Sequence, residues 1–225
     1  MGAAAGKSTT LIGIDASRAV STAPTGTEAY SYHLIRAMLP LMQQKFAVTL
    51  YMRYKPQSTS FPDVDIKVMP FPRLWSHLRL SWEMVVSTPE LLFVPAHVLP
   101  VIHPVNSLVT VHDLGYRLFP ESHPPGQRFY LNCSTRWNVR QAAHVIADSE
   151  ATREAIVTHY SVPPSKITVA YPGYDSNLKR VENPSVLDNV KRRYGIHGDY
   201  ILHIGRIQPR KNLGRLIDAF QVLRS

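Results

Sequence analysis

The sequence is short of the features that settle a protein's class at once. Its 225 residues include one cysteine, Cys133. No intrachain disulfide is open to it, and a lone thiol fits a reducing compartment. Cys133 reads as a small packing residue or as a nucleophile, and no motif surrounds it for the second role. The amino-terminal MGAAAGKSTT lacks the apolar core of a secretion signal. No run reaches the roughly eighteen apolar residues of a membrane span. A cytoplasmic location is therefore expected, with peripheral contact at the inner face of an anionic membrane as an option. The GKS triplet has neither a strand before it nor a helix after it, so it is no phosphate loop. Residues 1–10 are expected to be a disordered tail. Zinc-finger spacing, aromatic RNA-binding signatures and a GxGxxG fingerprint are all missing. Acidic residues are scarce as well, 16 against 25 Lys and Arg, for a formal charge of +9. With no nucleic-acid motif to use it, that surplus points to phosphate-bearing ligands or a membrane surface rather than nucleic acid.

What is present is an alternation of strands and helices. Hydrophobic residues make up 44% of the chain, enough for one large α/β domain or one domain and part of another. The central stretch is SLVTVHDLG. Residues 108–111 form a continuous apolar run, as expected of a strand buried on both faces of a parallel sheet, and His112 and Asp113 follow at once. Ligands of open α/β sheets bind outside the carboxyl ends of the strands. His112 and Asp113 therefore either line a site or merely cap the next turn. The run LLFV at 91–94 ends similarly, with His97 just beyond it. Both histidines are expected to face one crevice.

Other strands are expected at 11–14, 47–51, 63–69, 145–147 and 167–171. Asp15 follows the first. Gly26-Thr27-Glu28 opens a helix to about residue 39, with Tyr30, Leu34, Met38 and Leu41 on its buried face and Pro40 helping to end it. Gly26 at that helix start lets backbone N–H groups approach an anion or a hydroxyl, or serves simple turn chemistry. Leu74, Trp75, Leu78 and Trp82 make an amphipathic face, either core packing or a surface for membrane or a lipid-linked substrate. Helices are expected at 128–143 and, capped by Ser149, at 150–159. The alternation predicts a Rossmann-like, doubly wound, mostly parallel sheet over 11–180. After a boundary near 180, a helix at 186–194, a strand at 200–204 and a helix from 213 look like the start of a second α/β domain over 181–225.

Three segments carry a resemblance: TGTEAYSYHLIRAML; VTVHDLGYRLFPESHPPGQRFY with HVIADSEATREAIVTHYSVPPSKITVAYPGYD; and YILHIGRIQPRKNLGRLIDAF. Together, over about residues 11–223, the chain resembles a retaining glycosyltransferase of the family 4 type, with the two-domain GT-B fold. The resemblance implies an N-terminal acceptor domain, a C-terminal nucleotide-sugar domain, and transfer of a sugar from a nucleotide diphosphate to a glycan or lipid-linked acceptor in the cleft between them. By it, Gly26 and Thr27 approach donor phosphate or acceptor, and His112 lines the cleft near the transferred sugar. Arg206 and Lys211 grip the donor diphosphate, whose charge grows as it departs; unaided, those two read as a solvated basic loop. Asp15, His97 and Asp113 are expected to contact the acceptor, with loop capping the alternative for the two aspartates. No DxD pair or metal cluster is visible, so neither metal nor cofactor is expected.

The family's later Glu-x7-Glu segment, which holds donor sugar and ribose, falls past Ser225. This chain is therefore expected to bind donor poorly, as a fragment or as a half that pairs with a missing C-terminal domain or with itself. A non-catalytic glycan-binding or partner-docking half is the alternative.

Overall fold

The structure is a computed structural model and describes residues 10–20, 24–56, 61–96, 98–175, 178–205 and 207–224. It divides into two compact units, Met1–Pro172 and Gly173–Ser225. The first holds the expected doubly wound sheet. Its strands are β1 (Leu11–Asp15), β2 (Ala47–Met52), β3 (Asp65–Val68), β4 (Leu91–Val94), β5 (Ser107–Val111), β6 (His144–Ala147) and β7 (Ile167–Val169). All pair in parallel, in the order β3-β2-β1-β4-β5-β6-β7. The chain winds outward from β1 to β3, then returns to lay β4 on the other side of β1. That reversal is the switch point at which such sheets open a crevice.

Crossovers pass through α1 (Gly26–Met42), a π-helical turn (Ser76–Leu80) leading into α2 (Ser81–Val86), α3 (Gly115–Leu118), α4 (Pro125–Gln141) and α5 (Glu150–Tyr160). Strand residues alternate between two cores, as the period of two requires. Leu92 and Val94 of β4 pack with Met84, Val139 and Ile156. Phe93 faces the other way, with Ile35 and Leu39 of α1. Each large apolar side chain so buried contributes roughly 1.5–3 kcal/mol. An exposed ion pair such as Arg18–Glu28 is worth no more than about 1 kcal/mol. The double-sided core, not surface charge, holds the sheet.

Gly13 shows how tight that packing is. A Cβ placed there would lie 2.6 Å from the Tyr51 ring and 3.0 Å from Pro89. Tyr51 is 1% exposed and burial pushes its phenol up to about 12, so the ring has no room to yield. Gly13→Ala is expected to destabilise the first unit by about 1–3 kcal/mol, read as a lower urea midpoint with unchanged slope.

Several local expectations are corrected. The buried stripe of α1 is Ser31, Ile35 and Leu39, while Leu41 is exposed. Tyr30, Leu34 and Met38 only flank that stripe. Ser31 fits there because its hydroxyl is satisfied by Thr27 O at 2.9 Å, which leaves a small side chain against the sheet. Pro40 does not end the helix, which runs to Met42 and closes with Gln43 N–H on Leu39 O. Near a helix end a proline forfeits one bond without stopping the turn. The face at 74–82 splits: Trp75 is buried, donating to Met69 O at 2.7 Å, while Leu74, Leu78 and Trp82 are exposed. Leu74 sits at φ 53, and this left-handed kink separates its direction from that of Trp75.

The second unit contains α6 (Pro184–Tyr194), a 3-10 turn (Pro209–Lys211) and α7 (Leu213–Arg224). Asn183 caps α6 and Gly195 ends it at φ 65, with Ile196 N–H reaching back to Lys191 O. The strand expected at 200–204 is not formed; a strand exists only by pairing, and no second strand is described in this unit. None of its described residues is buried. Leu213, Leu216, Ile217 and Phe220 of α7 instead line an apolar cavity with Ile201 and His203.

Candidate active site

A parallel sheet delivers every strand's carboxyl end to one edge, and the chemistry-bearing residues of the first unit gather there. Val111 pairs with Ala147, so the next residue on each strand, His112 and Asp148, stand side by side. The His112 Nε2 is 3.0 Å from Pro95 O, just past β4. A carbonyl only accepts, so Nε2 carries the proton and donates. His112 Nδ1 then faces Asp148 Oδ2 at 3.6 Å, an ion pair whenever the ring is protonated. Tyr30 of α1 meets the imidazole edge-on, with centroids 4.7 Å apart. Burial raises the Tyr30 phenol; Thr110 opposes this and Asp148 adds to it. The Thr152 hydroxyl lies 3.0 Å from both His112 O and Asp148 Oδ1, within donating distance of either. Thr152 is placed by Ser149, whose Oγ accepts from its backbone N–H at the start of α5. The ring is thus met by groups just past β4 and β6 and by Tyr30 of α1, while Thr152 of α5 reaches the His112 backbone and Asp148.

The start of α1 forms the neighbouring wall. Glu28 Oε2 accepts from the Thr25 N–H at 2.8 Å and from its hydroxyl at 3.0 Å. These bonds, the Thr25 N–H first, and Arg18 hold the Glu28 carboxyl below its usual range, although its slight burial opposes them. The space over Gly26 is open: an added Cβ would meet nothing within 4 Å. The fold does not require a glycine here, whereas a ligand approaching the first N–H groups of a seventeen-residue helix would. Asp15, closing β1, is 3% exposed, and burial raises its carboxyl to about 6. Ser17 and Arg18 lower it only in part. Its Oδ1 accepts from Ser17 N–H at 3.0 Å.

Asp15, Gly26, Thr27 and His112 therefore lie along one edge of one unit. Asp15 and His112 are two strands apart, roughly 10 Å. Asp113 is exposed and accepts from Gly115 N–H at 2.9 Å, capping the turn into α3. Lys211 is exposed in the second unit, where its N–H closes the 3-10 turn on Gln208 O. His97 and Arg206 lie outside the described residues. Sequence reasoning missed Asp148 and Tyr30. Asp148 had a usable signal, since consecutive strands of such a sheet are usually neighbours and their following residues then adjoin. Among the described residues, no group of three or more His, Cys, Asp or Glu side chains is placed to hold a metal ion. No described helix is long and apolar enough to cross a membrane.

O-antigen chain mannosyltransferase B of Escherichia coli is 26% identical over 119 residues, 52% of this chain and 31% of that protein. D-inositol 3-phosphate glycosyltransferase of Corynebacterium glutamicum is 28% identical over 127 residues, 56% of this chain and 29% of that protein. The match thus spans under a third of either relative's length. HepE of Anabaena, crystallised with UDP and glucose, superposes with a TM-score of 0.60 at 19% identity, covering 95% of this chain and 58% of that one. At that identity the likeness is one of fold, the Rossmann-like architecture expected above. The family model described as Glycosyltransferase Family 4 matches residues 24–178, from the approach to α1 past β7. That is more than half of the chain and takes in Gly26, Tyr30, His112 and Asp148. The chain belongs to glycosyltransferase family 4.

Proposed function

We propose that the protein takes part in transferring a sugar, with retention, from a nucleotide diphosphate to a glycan or lipid-linked acceptor, and that this chain supplies the acceptor-side domain. The observation that carries the reading is the clamped imidazole of His112 on the same sheet edge as the open start of α1. In this reading the helix start at Gly26 and Thr27 approaches an anionic or hydroxyl group, and Arg206 and Lys211 offset the charge growing on the departing diphosphate. His112 orients and stabilises the reacting sugar. Its Nε2 proton is engaged by Pro95, which suits a fixed electrostatic partner better than a nucleophile. Asp15 contacts the acceptor. These cations do the work a metal would otherwise do, and no cofactor is required. Exposed Leu74, Leu78, Trp82, Val85 and Val86 support a peripheral placement against an anionic membrane.

The names of the relatives support sugar transfer, and the UDP and glucose of HepE support a nucleotide-sugar donor. A non-catalytic acceptor-binding half is favoured by one observation, the absence of any buried residue among those described in the second unit. The test is a transfer assay with GDP-, UDP- and ADP-sugars on the protein as its cell makes it, with the 225-residue chain run beside it. Transfer with retention is expected, lost on His112→Ala, together with weak donor binding by the chain alone. Absence of transfer from all three donors by the folded protein overturns the enzyme reading; robust transfer by the chain alone overturns the expectation of an incomplete donor site.

A further inference from the structure

Both ring nitrogens of His112 face an acceptor. Nε2 lies 3.0 Å from Pro95 O, and Nδ1 lies 3.6 Å from Asp148 Oδ2. A neutral imidazole carries one proton, and the Pro95 carbonyl claims it at Nε2. Nδ1 of that neutral ring would turn a lone pair on a carboxylate oxygen. Only the doubly protonated imidazolium offers a donor at each nitrogen. At 3.6 Å the Nδ1 contact is an ion pair rather than a hydrogen bond, so what Asp148 meets is the charge of the ring.

The carboxylate is placed for that partner. Its Oδ1 lies 3.0 Å from the Thr152 hydroxyl and 3.3 Å from the Ser149 hydroxyl. If Thr152 spends its proton on His112 O instead, the Ser149 proton still reaches Oδ1. Oδ1 is therefore served by a hydroxyl in either arrangement, and Oδ2 is left to the ring. Among the described residues, no lysine or arginine stands within ion-pair distance of Asp148. The His112 and Asp148 side chains are 19% and 20% exposed, and a carboxylate so far out of water is costly to leave unpaired. No second charge faces the ring among the described residues. From α1 comes Tyr30, whose phenol burial raises and so keeps neutral. From β4 comes the Pro95 carbonyl, and from α5 the Thr152 hydroxyl. Asp113, next along the chain, turns away to Gly115 N–H.

We infer that Asp148 is a positioning residue for sugar transfer, pairing with Nδ1 to keep His112 an imidazolium in the orientation that Pro95 sets. The inference rests on the transfer reaction proposed above. An imidazolium with both N–H groups engaged has no lone pair to give, so it is neither base nor nucleophile. It acts on the sugar and the departing diphosphate through its charge. Asp148 acts through the ring and touches neither substrate.

The test uses the protein as its cell makes it, labelled with nitrogen-15 histidine, the His112 resonances being assigned by their loss in His112→Ala. At pH 7 the ratio of doubly to singly protonated His112 is expected to fall about tenfold in Asp148→Asn and in Asp148→Ala, the scale of one opposite charge removed from this distance. Nε2 is expected to keep its proton in both, because Pro95 O remains. Two variants guard against one failing to fold. Transfer is measured on the same preparations. For Asp148→Asn the loss in kcat is expected to be absent at pH 5 and to reach about tenfold at pH 8, with KM changed by less than about twofold. A merely structural role would lower transfer equally at both pH values, and that result overturns the inference. So does a ring whose protonation ignores both variants. Full activity in Asp148→Asn beside an inactive Asp148→Ala would mean that an amide serves Nδ1 as well, that the working ring is neutral, and that the inference is wrong. Transfer from no donor by the wild type would overturn the sugar-transfer reading, while the resonances still decide whether Asp148 holds the ring charged.

Discussion

Asp15→Asn is expected to stabilise the protein at pH 8 by on the order of 3 kcal/mol, and to change it little at pH 4. The folded carboxyl titrates near 6 because it is buried, against 3.8 for an unperturbed group. At about 1.4 kcal/mol per unit, that gap sets the size of the effect. The sign follows from proton counting. Between the two values the folded state holds the proton more tightly than the unfolded chain, so stability falls as pH rises from about 4 through 6. The penalty is fully present above the folded value and gone below the unfolded one. Asparagine removes it while keeping an Oδ1 to accept from Ser17 N–H. Urea unfolding of wild type and variant at half-unit steps from pH 4 to pH 8 measures the difference. Parallel curves would mean that the carboxylate finds compensation in solution; a variant less stable at pH 8 would mean that its charge is used by the fold.

The second large effect separates binding from folding. Gly26→Ala is expected to leave the melting temperature unchanged or slightly raised, because alanine suits a helix by a few tenths to about 1 kcal/mol and its Cβ meets nothing. Transfer by the protein as its cell makes it is expected to fall by about a hundredfold, the scale of a 1 Å displacement of a reacting group. The new methyl would stand where a ligand atom must reach the helix N–H groups. Steady-state transfer and thermal melts of the same preparation decide it. Lost stability with unaltered transfer would assign Gly26 to the fold; no change in either would leave the open space to solvent.

These residues also show how far sequence reasoning reached. The apolar run of β5 ending in His112 was legible because burial on both faces writes itself as a continuous string. The opening of α1 was legible from Thr25, Gly26 and Glu28, which are local signals. What holds His112 was not, because Asp148 and Tyr30 reach it through strand neighbours and a crossover, and neither leaves a mark in local spacing. The buried stripe of α1 was placed one residue early, since a serine against the sheet carries no hydrophobic signature. The run at 200–204 was apolar enough for a strand, but pairing is a property of two segments, and one segment's composition cannot supply it.

β1 is the first strand of the chain, yet it lies inside the sheet, bonded to β2 on one side and β4 on the other. It is the seam along which two independently wound halves are sewn. Its partners begin 36 and 80 residues after Leu11, at Ala47 and Leu91. Such non-local pairing slows assembly. It also means that shortening the amino terminus into residue 11 does not trim an edge. It removes the only ladder that joins β2–β3 to β4–β7, and the crevice between them goes with it.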